Sequence, residues 1–140
     1  MKLAYSDLND RLVEMLPELK DALAHERAWY EDEEPGCHVI YGDYLNPLLA
    51  ESLTSEGHEP LLRRAFSLLE ELSSSDDYRV REVVTDTICE YIVDRPTLYS
   101  PAKLFMGAKT ADLCKSTEVD PREVEDDLMR GPSPHEPKAS

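Results

Sequence analysis

An all-α fold follows from three observations. From about Tyr41 to Lys115 apolar residues recur at helical spacing. The one short β-branched run, residues 37–41, has no partner strand with which to make a sheet. Prolines, glycines and serine runs punctuate the chain at helix-length intervals. With 140 residues, one hydrophobic core is the natural size, so the expectation is a compact helical bundle in a single domain over residues 1–118.

Ser6 is placed to cap a first helix in which Leu8, Leu12, Met15, Leu16 and Leu19 share a stripe, with Asp7, Asn9 and Asp10 in its first turn. Pro17 removes a backbone donor, which divides this hairpin into helices at about 6–15 and 17–30. Leu19, Leu23, Ala24 and Trp29 form the expected buried side of the second. Four adjacent acids followed by Pro35 and Gly36 favour neither helix nor strand, so residues 31–36 read as a linker to a main body at 37–118. Residues 37–41 read as a loop that packs Val39 and Ile40 inward.

Asp43 is expected to cap a helix running to about Thr54, with Asn46-Pro47 in its first turn. Leu61, Leu62, Ala65, Phe66, Leu69 and Leu72 mark a helix over 59–73, which the serines at 73–75 end. Asp76 and Asp77 open the next, whose stripe of Val80, Val83, Val84, Thr87, Ile88, Tyr91 and Ile92 runs to Asp94 before Arg95-Pro96 closes it. Two helices of similar length joined by a short turn suggest a HEAT-like antiparallel pair within the bundle. A shorter helix over 98–105 ends at Met106-Gly107, and a last helix over 108–116 turns Ala111, Leu113 and Cys114 inward. Residues 119–140 carry four prolines and six acids and read as a mostly disordered tail, with two helical turns expected at 122–129.

The net charge of −15 arises from 30 acidic and 15 basic residues. Every region shares it: residues 1–36 hold 10 acids and 4 bases, residues 37–118 hold 14 and 8, and residues 119–140 hold 6 and 3. Such a field repels nucleic acid phosphates and anionic membranes and attracts a basic protein. The expected partners are therefore a basic protein, with no nucleic acid and no membrane. The N-terminus has no basic region followed by an apolar stretch, and no run approaches the ~18 apolar residues that span a bilayer. Cys37, Cys89 and Cys114 are odd in number and widely spaced, which fits reduced thiols in a cytoplasm.

No catalytic, cofactor or metal constellation is expected. His25-Glu26 begins a zinc-protease pattern, but its second histidine would fall at Trp29. Cys37-His38 is formally a nucleophile and base, although in an extended stretch the two would point apart. Glu70-Glu71, Asp76-Asp77 and the acids at 31–34 lack the calcium-loop pattern and read as solvated faces or helix-terminal charges. Glu90, beside an apolar stripe, is expected to be partly buried against Arg63, Arg64 or Lys109.

Four segments, Tyr41-Gly42-Asp43-Tyr44-Leu45-Asn46-Pro47-Leu48-Leu49, Phe66-Ser67-Leu68-Leu69-Glu70-Glu71-Leu72, Glu90-Tyr91-Ile92 and Phe105-Met106-Gly107-Ala108-Lys109-Thr110, resemble the ordered landmarks of a family of small, largely uncharacterised bacterial helical proteins. The similarity spans roughly residues 6–115, with Ala108 where the family is expected to carry proline. Some members are candidate immunity proteins of polymorphic toxin systems. The resemblance implies a cytoplasmic, non-enzymatic inhibitor that binds a cognate toxin domain and occludes its active site. Asp43, Tyr44, Glu70, Glu71, Asp76, Asp77 and Tyr78 are the expected contacts, while Leu45, Phe66, Leu69 and Ile88 maintain shape. The main alternative is a HEAT-like adaptor or scaffold for an unrelated basic partner.

Overall fold

The computed structural model describes residues 3–118, and prolines and caps divide these described residues into seven helices. A 3-10 turn at Tyr5–Asp7 leads into α1 (Leu8–Met15). Ser6 lies inside that turn, and no side chain caps α1. Leu16 N–H closes α1 on Leu12 O at 2.8 Å. Pro17, with no N–H to give, starts a second 3-10 turn, Pro17–Leu19, before α2 (Lys20–Tyr30). The break therefore falls where the proline places it.

Residues 37–53 form one continuous helix, α3, which corrects two expectations. Cys37–Ile40 is helical rather than a loop, and Asp43 lies in mid-helix rather than at a cap. Burial of Cys37, Ile40 and Tyr41 on one side outweighs the β preference of Val39 and Ile40. The central stretch Tyr41–Leu45 is π-helical, with Asn46 N–H donating to Tyr41 O, and Asn46–Leu53 completes the helix. Pro47 accounts for the wide turn. In a regular helix its ring would press on the carbonyl four residues back, that of Asp43, and leave it without a donor.

α4 (Glu59–Ser73) has Pro60 in its first turn. After a short turn comes α5, residues 78–93, capped by Asp77, whose Oδ1 accepts from Arg79 N at 2.9 Å. The α4–α5 pair packs as the expected antiparallel hairpin. α5 also has a π-helical centre, Val83–Cys89, where five β-branched residues crowd the turns and Glu90 N–H reaches Thr85 O. The two π segments pack against each other. Asn46 Nδ2 donates to Thr87 O at 3.0 Å, and a Cβ on Gly42 would stand 3.3 Å from the Thr87 methyl.

α6 (Pro96–Ala102) starts and stops earlier than expected because Pro96 takes its first turn. Phe105 lies beyond it, stacked on Phe66 at 6.1 Å. In α7 (Ala108–Thr117) the buried positions are Thr110 and Cys114, one helical turn apart, and Ala111 is exposed. One contiguous core includes the N-terminal hairpin and the main body. Tyr41, wholly buried, ties them together by donating its hydroxyl to Leu8 O at 2.8 Å. Among the described residues there is no strand, and no helix is long and apolar enough to cross a membrane. The tail expected at 119–140, with its turns at 122–129, lies outside the described residues.

The cysteines also depart from expectation. Cys89 on α5 and Cys114 on α7 form a disulfide, while Cys37 is a free, buried thiol. Packing of α5 on α7 brings the two Cα atoms to 4.9 Å, a proximity that a separation of 25 residues does not disclose.

Candidate partner-binding surface

The seven expected contact residues divide by what their side chains already do. Glu70 works inside the fold. Its carboxylate reaches from α4 to the start of α7, accepting from Lys109 N at 3.0 Å, Thr110 N at 2.9 Å and Thr110 Oγ1 at 2.9 Å. It thus acts as an N-cap supplied by another helix. Burial alone would raise its pKa, but the hydrogen bonds from Thr110 and Lys109 outweigh that and hold the carboxyl below its ordinary value. Gly107 makes room for it, since a Cβ there would fall within 2.4 Å of the Glu70 carboxyl.

Glu71 is likewise engaged. Arg11 forks onto it, Nε to Oε2 at 2.9 Å and Nη2 to Oε1 at 2.7 Å, and so pins α1 to α4. Asp77 caps α5 and takes a further bond from Arg79 Nη2 to Oδ2 at 2.8 Å. Asp76 and Tyr78 face solvent beside it, Tyr78 with 61% of its surface exposed. Leu3–Ser6, Asp76, Asp77 and Arg79 line an open cavity here, with the Arg79 guanidinium 4.8 Å from the centre of the Tyr5 ring. Asp43 is exposed on α3, and the neighbouring Tyr44 donates to Glu26 Oε1 of α2 at 2.6 Å, which raises the phenol's pKa. The set is therefore split. Glu71 and Asp76–Tyr78 adjoin the N-terminal segment, Asp43 and Tyr44 adjoin α2, and Glu70 serves α7.

Glu90 does not match its expected role. It is exposed, Arg63 pairs with Glu59, and Arg64 pairs with Glu18 at 2.6 Å. Its position, two residues from the buried Ile88 and Ile92, turns it about 200° from each at 100° per residue. Cys37 and His38 are helical rather than extended. Cys37 points into the core and the exposed His38 has Nδ1 2.7 Å from Thr87 Oγ1. Among the described residues no three His, Cys, Asp or Glu side chains converge as metal ligands would.

The sequence reading missed the outer face of α2. Leu19 and Leu23 are buried as expected, but Ala24 is exposed and Trp29 shows 76% of its surface. Register gives the reason: at 100° per residue Trp29 lies 600° beyond Leu23, about 120° from the buried face. Beyond Trp29 the acidic linker divides too. Glu34 is clamped by Arg27, Nε to Oε1 at 2.8 Å and Nη2 to Oε2 at 2.6 Å, and by Asn9 Nδ2 at 3.1 Å. Arg27 holds it below the usual carboxylate range. Glu31, Asp32 and Glu33 are exposed and, among the described residues, paired with no basic side chain.

Residues 9–119 match a protein-family description that reads "Domain of unknown function (DUF7674)". The chain belongs to the DUF7674 family. The matched span begins at Asn9, which anchors the linker through Pro35 O at 2.8 Å, and takes in all of α3 to α7 of this DUF7674 domain. Neither the curated proteins nor the solved structures yield a match to the chain.

Proposed function

We propose that this DUF7674 protein is a cytoplasmic immunity protein that neutralises a cognate bacterial toxin by stoichiometric binding and occlusion of its active site. The supporting observation is a helical body with a net charge of −15 whose carboxylates fall into two groups. Glu70, Glu71 and Glu34 tie separate elements together and Asp77 caps α5, while Asp43, Asp76 and Glu31–Glu33 stand exposed. A basic toxin domain meets the second group without disturbing the first, and the long-range field speeds the encounter. In a reducing cytoplasm the Cys89–Cys114 bond would be open, and both buried thiols would pack as small apolar groups.

Co-expression with a toxin encoded beside this chain tests the proposal. Restored growth is the expected result. Equal killing with and without the protein would sink it. The alternative, a HEAT-like adaptor built on the α4–α5 pair, is favoured if related loci carry no toxin gene and the protein instead co-purifies with a basic partner whose activity it leaves intact.

A further inference from the structure

We infer that the outer face of α2, centred on Trp29, is the docking surface for a basic protein that presents an apolar socket rimmed with Arg or Lys. The inference rests on reading the chain as an inhibitor of a cationic partner. It moves the centre of contact from the α4–α5 turn to α2. Ala24, Ala28 and Trp29 are exposed on the half of α2 turned away from Leu23, the one buried residue of this helix, and share it with the exposed Asp21 and His25. Trp29 is the chain's sole tryptophan, and 76% of its surface is exposed. A large flat ring held on a helix has little entropy to lose and supplies the kind of anchor that dominates interfaces.

Charge decides the occupant. Glu31, Asp32 and Glu33 begin two residues after the ring, all exposed and without a basic partner among the described residues. A second copy would bring the same three carboxylates against them, and nucleic acid or an anionic bilayer would be repelled as well. A basic protein gains on both counts, since the indole face attracts an arginine or lysine and the carboxylates attract its neighbours. At the α4–α5 turn, by contrast, the Arg79 guanidinium already lies over the Tyr5 ring, 4.8 Å from its centre, so a cation is in place where a basic partner would have to dock.

The sole tryptophan provides its own readout in the full-length protein. In the free protein, caesium should quench Trp29 fluorescence more strongly than iodide, as an exposed indole among carboxylates requires. Weak quenching by both ions would mean that the face is already covered and would overturn the inference. A labelled peptide of alternating arginine and leucine is then the probe, with a glutamate–leucine peptide as control. The arginine peptide should bind, shift Trp29 emission to the blue, and lose at least tenfold in affinity with Trp29→Ala, while Leu104→Ala, which trims another exposed apolar side chain, changes affinity less than twofold. Equal binding by the Trp29→Ala variant, absence of binding, or a dimer dissociated by that substitution in sedimentation would each overturn the inference. The two proposals fail separately. A wild-type protein that protects cells no better than Trp29→Ala does, both protecting fully, removes the surface and leaves immunity standing; peptide capture through Trp29 without any protection does the reverse.

Discussion

Replacing Glu70 with alanine separates a structural carboxylate from a recognition one. The substitution removes three hydrogen bonds at the start of α7. Lys109 is exposed, so water takes over its N–H at little cost. The Thr110 hydroxyl keeps Ser73 Oγ at 3.1 Å, which leaves the N–H of the fully buried Thr110 as the one group stranded. Loss of a cap costs ~0.5–2 kcal/mol and an unpaired buried donor ~1–3 kcal/mol; both describe the one lost Thr110 N–H bond, which puts the destabilisation at about 2–3 kcal/mol. For a domain of this size that lowers Tm by roughly 8–12 °C. Glu70→Gln keeps Oε1 for Thr110 and opposes only Lys109, so it should cost about 1 kcal/mol. The depressed folded pKa means that the carboxylate stabilises the fold above its ordinary unfolded value near 4.5 and ceases to do so as pH falls through the lower folded value. Thermal melts of wild type and Glu70→Gln should therefore differ most near neutrality and converge in acid. An alanine variant melting within about 2 °C of wild type, or a gap that widens as pH drops, would refute the assignment.

Four further outcomes follow from the same geometry. Gly107→Ala forces the Glu70 carboxyl off α7 and should destabilise by about as much as Glu70→Ala, with the double variant far from additive by urea titration. Tyr41→Phe strips the buried hydroxyl from Leu8 O and should cost about 1 kcal/mol in the same assay without changing the helical circular dichroism. Reducing Cys89–Cys114, whose cysteines lie 25 residues apart, should lower oxidised stability by about 3.5 kcal/mol, and the same loss should persist in a Cys37→Ala background, which keeps the disulfide. Arg11→Ala breaks a half-exposed pair with Glu71 and should cost only about 0.5–1 kcal/mol, less at high salt.

Helix number, the breaks at Pro17 and Pro96, and the pairing of α4 with α5 were legible because proline chemistry and a 3.6-residue period are local properties. α3 was not. Val39 and Ile40 carry a β preference that only contact with α1 and α5 overrides, and the π turn before Pro47 removes the need for a helix start at Asp43. Contact residues were harder still. Glu70 and Glu71 are adjacent acids on an amphipathic helix, indistinguishable in sequence from solvated ones until Thr110 and Arg11 arrive from 40 and 60 positions away. Trp29 is the opposite case: its angle from Leu23 was available from the sequence, but a bulky aromatic was assigned to the core by type rather than by register.

Capture of a cationic protein by exposed carboxylates on the helical body is the step on which the proposed immunity function depends. Stopped-flow association with the toxin domain recovered by co-expression, followed through Trp29 emission, tests it most directly. Raising salt from about 20 mM to about 500 mM should slow association by tenfold or more and change dissociation far less. An association rate indifferent to salt would contradict the account.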